Sequence, residues 1–116
     1  MDFKNGTELL HLCRENKCNI SEIMRQREIS MTEATLEEIN QRMEKAYFIM
    51  QASVHEPLTK PVKSMGGLIG GEARKLRDYR KGGRSVCGTI VAKAIAHAMA
   101  VLEVNASMGL IVAAPT

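Results

Sequence analysis

The nineteen residues from Val86 to Val104 are apolar on nearly every side of a helix, with Lys93, His97 and Glu103 as the ionisable interruptions. No other feature restricts the fold so strongly, because a helix that is apolar all round needs cover on every face. The segment has the length of a membrane span. Its three ionisable groups would each be expensive at bilayer depth, which argues for a water-soluble core helix. Ala or Gly at 88, 92, 94, 96, 98 and 100 lets neighbouring helices approach closely. The chain therefore reads as all-α, with "SVCGTIVAKAIAHAMAVLEVNASMG" as the central, buried helix of a larger protein. After Gly109, a natural stop, the apolar "LIVAAPT" adds surface with nothing in the sequence to cover it. The expectation is a piece of something longer, or an obligate partner.

Composition narrows the packing. Aromatic residues are 3% of the 116, with two Phe, two Tyr and no Trp. The core must then come from Met, Ile, Leu, Val and Ala, which suits helix against helix better than a β-sandwich. So few rings also weaken any case for stacking on single-stranded nucleic acid. Net charge is +3, too small to imply a polyanionic partner. Between Glu72 and Arg84, however, Arg74, Lys75, Arg77, Arg80, Lys81 and Arg84 face only Glu72 and Asp78. That run is either a solvated helix face or a site for an anionic group.

Cys13, Cys18 and Cys87 form no CxxC, and no His-rich tract accompanies them, so spacing assembles no metal site. Asp2, Lys4 and Asn5 interrupt the opening before an apolar run forms, which excludes a signal peptide there. Reduced thiols and no export signal point to the cytoplasm.

Along the chain, "NGTELLHLCREN" predicts a short helix capped by Thr7. "NISEIMRQREISM" pairs Asn19 with Glu22 as a capping box, and Thr35 with Glu38 repeats the signature. Helical spacing aligns Ile20, Ile23, Met24 and Met31, then Leu36, Ile39, Met43, Ala46, Met50 and Val54. The methionines read as core filler. No helix should run through both Pro57 and Pro61. The expected organisation is an N-terminal helical lobe over 1–56, a connector and glycine-rich turn over 57–71, and the start of a helical core over 72–116. A helix from about Glu72 to Lys81 ends at Gly82 and Gly83, and Ser85 caps the next.

"SMGGLIGGEARKL" places four glycines within six positions directly before that helix. Each costs roughly 0.5–1 kcal/mol in unfolded-state entropy relative to Ala. The backbone there must bend sharply or approach something closely. The stretch is neither a P-loop nor a dinucleotide fingerprint. Its GxxG, Gly67 to Gly70, has the shape of a KH-type nucleic-acid clamp, but the strands of a KH fold are absent. Two readings remain: a turn that packs helices, or amides at a helix start that bind a small carboxylate. Asn105 and Ser107, at the end of the apolar helix, serve either as caps or as polar groups of a cavity wall. His97 reads as a packed, hydrogen-bonded histidine before it reads as a base.

"MGGLIGGEARKL", "YRKGGRSVCG" and above all "VLEVNASMGLIVAAPT" resemble the alpha chain of the iron–sulfur-dependent L-serine dehydratases, also called L-serine ammonia-lyases. The resemblance extends from "FKNGTELLHLC" onward and is most specific from Ser64 to Thr116. Gly71-Glu72 stands where many relatives carry Gly-Asp, which retains the carboxylate. The resemblance implies a mostly helical catalytic domain in which a 4Fe–4S cluster acts as Lewis acid on the serine hydroxyl, without pyridoxal phosphate. L-serine would lose its α-proton and β-hydroxide to give aminoacrylate, then pyruvate and ammonia. Implied partners are the remainder of the alpha chain and a beta chain or domain, in an oligomer, with no nucleic acid and no membrane. In the family "AAPT" runs on into the first cluster cysteine, and Cys13, Cys18 and Cys87 match none of the ligand positions. The chain thus reads as an N-terminal fragment that holds no metal and is inactive alone.

On this resemblance Gly67, Gly70, Gly71 and Glu72 would direct amides at the substrate carboxylate, and Asn105 and Ser107 would face the same cavity. The residue that takes the α-proton is not identified. The rival of another class is a non-catalytic helical interaction module, in which the glycines only pack helices and the apolar end docks a partner.

Overall fold

The computed structural model of the chain describes residues 1–60, 62–83 and 85–113. Among these, all regular structure is helical: α1 (Gly6–Asn16), α2 (Ile20–Thr32), α3 (Leu36–Thr59), α4 (Glu72–Lys81) and α5 (Gly88–Ala106). The all-α expectation holds. The chain divides into two compact units, Met1–Lys45 and Ala46–Thr116, with the division inside α3.

Caps set the helix starts in the first unit. Asn19 accepts from the Glu22 amide at 3.1 Å, and Glu22 reaches back to the Asn19 amide at 3.0 Å, closing the predicted capping box of α2. Thr35 and Glu38 close the second one, with the Thr35 amide donating to Glu38 at 2.8 Å and the Glu38 amide donating to the Thr35 hydroxyl at 3.2 Å. Thr7, the expected cap of α1, lies inside that helix. Asn5 is the cap, accepting from the Glu8 amide at 3.0 Å, because its carbonyl oxygen sits three residues before that donor.

Here α1 packs on α2. Ile23, Ala34 and Ile39 are buried, and Arg27 ties down the N-terminus by pairing with Asp2 at 3.0 Å and lying 4.7 Å over the Phe3 ring. The methionines depart from expectation: Met24, Met31, Met43 and Met50 stand exposed. Helical spacing placed Met24 and Met31 on the apolar stripe of α2 and Met43 and Met50 on that of α3, but at these positions the stripes are left uncovered.

In the second unit α3 carries Pro57 within its length and stops two residues later at Thr59. The ring sacrifices one backbone donor but is fully buried, so packing offsets the lost bond. Pro61 lies outside the described residues. Leu58, Ala73 and Ala100 form the core here, with Val54 and Met99 against them. Arg77 of α4 donates to the Leu58 carbonyl and so holds the end of α3.

The α5 helix packs on α4 along Ala92, Ala96, Ala100, Glu103 and Val104. Four-residue spacing of alanines permits the close approach. Burial on all sides is not met: Ile90, Val91, Ile95 and Leu102 are exposed. The ten-residue α4 and the end of α3 are too short to surround a nineteen-residue helix. By length and composition alone α5, with mean hydropathy 1.3, would suffice to cross a membrane. Ser85 does not cap it. Cys87 is the N-cap without a side-chain bond, and the Ser85 hydroxyl lies 3.2 Å from its sulfur.

Candidate functional site

Ser64 closes the glycine-rich turn upon itself. Its amide donates to the Ile69 carbonyl at 2.8 Å, its hydroxyl accepts from the Ile69 amide at 3.1 Å, and its carbonyl accepts from Gly67 at 3.0 Å. The start of this loop is tied to the far end of α5: the Met65 amide donates to the Ala106 carbonyl at 3.0 Å. Apolar burial contributes less, since Met65 and Leu68 are 78% and 90% exposed and only Ile69, at 37%, is substantially covered. The turn is therefore positioned chiefly by hydrogen bonds.

Where the turn enters α4, glycine is required on steric grounds. A Cβ on Gly70 would collide with the Val62 carbonyl oxygen. Gly71 is the N-cap of α4 at φ 91°, and it has no side chain with which to satisfy the first amides of the helix. Those orphan donors carry the positive end of the helix dipole. Carboxylates of the chain itself supply the acceptors. Glu103, buried at 2% exposure, accepts from the Gly71 amide at 3.2 Å and from the Ala73 amide at 2.7 Å. Glu72 accepts from the Gly70 amide at 2.7 Å. Its carboxyl is held below the usual carboxylate range, first by its own backbone N–H, then by that of Gly70, against partial desolvation, with Lys75 adding to the effect.

The expected site residues are thus placed as follows. Gly70, Gly71 and Glu72 lie where the turn meets α4, with the Gly70 and Gly71 amides engaged by Glu72 and Glu103. Gly67 is at the exposed outer part of the turn, at φ 71°. Asn105 is exposed in the last turn of α5, and the half-buried Ser107 hydroxyl donates to the Val104 carbonyl at 2.9 Å. The Met65–Ala106 bond brings the turn and this helix end to the same part of the unit.

Sequence reasoning missed Glu103 as a member of this group. Two signals pointed to it. An apolar helix carrying one carboxylate must give it hydrogen-bond partners, and a helix beginning at Gly-Glu lacks a capping side chain of its own.

Of the basic run, Arg74, Lys75 and Lys81 are exposed, while Arg77 turns back to Leu58 and to Asp78. Asp78 is held below its usual range, chiefly by the Arg77 hydrogen bond. Arg84 lies outside the described residues. His97 is half-buried and lines, with His55 and Lys93, an open groove of about 790 Å³ between α3 and α5 whose floor includes Val54 and Leu58.

The residues present do not fit a 4Fe–4S cluster, whose ligands are convergent thiolates. Among the described residues no three His, Cys, Asp or Glu side chains converge on a metal position. Partial burial first, then Glu22 and Cys13, raise the Cys18 thiol above its ordinary range, which disfavours the thiolate a metal needs.

Comparison with known proteins adds a family. The model of the serine dehydratase alpha chain family matches residues 15–116. Over 114 residues the chain is 40% identical to a protein of Bacillus subtilis (strain 168) named probable L-serine dehydratase, alpha chain, covering 98% of this chain and 38% of that one. It is 37% identical over 114 residues to the L-serine dehydratase alpha chain of Peptoniphilus asaccharolyticus, covering 98% and 39% respectively. The chain spans about two fifths of the length of these curated relatives. No solved structure matches.

Proposed function

The chain belongs to the serine dehydratase alpha chain family, and we propose that it forms part of an L-serine ammonia-lyase. The match over residues 15–116 carries this reading, supported by 40% and 37% identity to the two relatives. The proposed reaction removes the α-proton and the β-hydroxyl of L-serine as water. The resulting 2-aminoacrylate tautomerises to an imine and adds water, releasing ammonia and leaving pyruvate.

The proposed cofactor is a 4Fe–4S cluster held by residues outside this chain, since the described residues do not fit one. The proposed partners are the rest of the alpha chain and a beta chain or domain. The chain's own part is to shape a wall of the substrate cavity from the glycine turn and the end of α5. In this reading Gly67 and Asn105, both exposed, meet the substrate. Gly70, Gly71, Glu72 and Ser107 shape the wall, because their polar groups bond within the chain.

The test is to produce the complete alpha chain with its companion chain, anaerobically, beside the 116-residue chain alone. The complete protein should release pyruvate and ammonia in equal amounts from L-serine and show visible thiolate–iron absorbance. The short chain should do neither after reconstitution with iron and sulfide. A complete, folded protein without serine turnover would overturn the reading in favour of a helical interaction module.

A further inference from the structure

We propose that Glu103 is a positioning residue of the reaction: from α5 it holds the backbone of Gly71–Ala73, and through it the glycine turn, in register with Asn105. The inference rests on the dehydratase reading, because it concerns the wall of that proposed cavity. Its grounds are geometric.

First, the turn has little apolar anchorage, with Leu68 90% and Met65 78% exposed and Ile69, at 37%, its one large apolar side chain with substantial cover. Something other than core packing must fix its position. Second, the bonds that join its two ends to another element converge on the last turns of one helix. Met65 donates to Ala106, and Gly71 and Ala73 donate to Glu103, three residues earlier. Third, the Glu103 carboxylate is 2% exposed on a helix otherwise apolar at its buried positions. Packing alone would be served by leucine or methionine there. A carboxylate in that place is stabilised only by its hydrogen-bond partners, and those partners are backbone donors of the glycine entry to α4.

Both carboxylate oxygens take part, one for each amide, so the contact is a two-point clamp on direction as well as distance. Glu72 complements it by holding Gly70 from the first residue of α4. The amides at the start of α4 therefore have acceptors without a ligand. Glu103 acts on the substrate through the position of the turn and does not touch it.

The test uses the complete enzyme with its companion chain, comparing wild type, Glu103→Gln and Glu103→Asp. Glutamine keeps one acceptor oxygen but turns an NH2 donor toward an amide that also donates. Aspartate keeps the carboxyl group and withdraws it by one methylene. For each protein, amide hydrogen exchange over residues 64–73, melting temperature, and kcat and KM for L-serine are measured. In Glu103→Gln, exchange in that segment and KM should each rise by about tenfold, with exchange over α1 and α2 unchanged. Glu103→Asp should lie between it and wild type in both readouts, and decides alone if the glutamine variant does not fold. Faster exchange with wild-type kcat and KM per folded molecule would mean the clamp is purely structural. Unchanged exchange would mean there is no clamp. Either result overturns the proposal while leaving serine turnover by wild type intact. A wild type without turnover instead overturns the dehydratase reading, and this role with it.

Discussion

Gly70 faces the carbonyl oxygen of Val62, with which any Cβ would collide. Both partners are backbone, so neither can rotate away, and its φ of 156° lies in a region L side chains rarely adopt. Gly70→Ala should therefore destabilise the Ala46–Thr116 unit by about 2–4 kcal/mol, within the range of strained backbone substitutions. Chemical denaturation followed by helical circular dichroism checks this, and a loss below about 0.5 kcal/mol, the scale of ordinary surface changes, would mean that the turn relaxes freely. A few residues along, Gly66 has open space where a Cβ would stand. Two glycines of one cluster thus answer to different demands, which the quoted string "GGLIGG" does not distinguish. Identity and spacing showed that the backbone was special there. The carbonyl of Val62, eight residues before Gly70, is a neighbour only in three dimensions.

At the scale of elements, the starts of α2, α3 and α4 were legible, whereas Asn5 and Cys87 stand at the caps of α1 and α5 where Thr7 and Ser85 were expected. Capping is a local interaction among residues three apart, so Asn19 with Glu22 and Thr35 with Glu38 were readable as strings. The α4 boundaries were legible for the same reason, with glycines on both sides. Its capping partner was not, because Glu103 lies thirty residues beyond Ala73. Local caps also set a pH dependence. The Thr35 amide first, and then its hydroxyl, hold Glu38 below its ordinary range, with Arg42 adding to the effect. A carboxyl whose folded pKa is depressed stabilises the fold above its unfolded pKa, and that contribution disappears as pH falls through the folded pKa. Stability of α3 should then decline on acidification from the ordinary carboxylate range downward. Glu38→Gln should be less stable than wild type at neutral pH and should flatten this acid limb. A wild type and variant with parallel pH profiles from neutral pH to below that range would show that Glu38 contributes nothing through its charge.

For the molecule as a whole, uncovered apolar surface is the dominant feature. Ile90, Val91, Ile95 and Leu102 on α5 are exposed, as are Met108 and Leu110 after it. Apolar burial stabilises by about 25 cal/mol per Å², and contiguous exposed patches beyond a few hundred Å² mark interaction surfaces. The 116-residue chain by itself should therefore self-associate and bind a dye specific for hydrophobic surface. Sedimentation or light scattering measures the first and fluorescence the second. A monomer at micromolar concentration without dye binding would show that the described surface overstates what is exposed in solution. Within the complete protein the same face should be protected from exchange and dye.

The sequence by itself determined the helical class, two capping boxes, the limits of α4, and the resemblance that the family comparison later bore out. Each of these depends on residues close in the chain, or on long matching runs of them. Tertiary structure alone decided which face of α5 is covered, that Pro57 sits within α3, and that a lone carboxylate in an apolar helix caps a different one. Those outcomes depend on which elements meet. A pattern of apolar positions states that a face seeks cover, and only the lengths and positions of the neighbouring helices determine how much of it is covered.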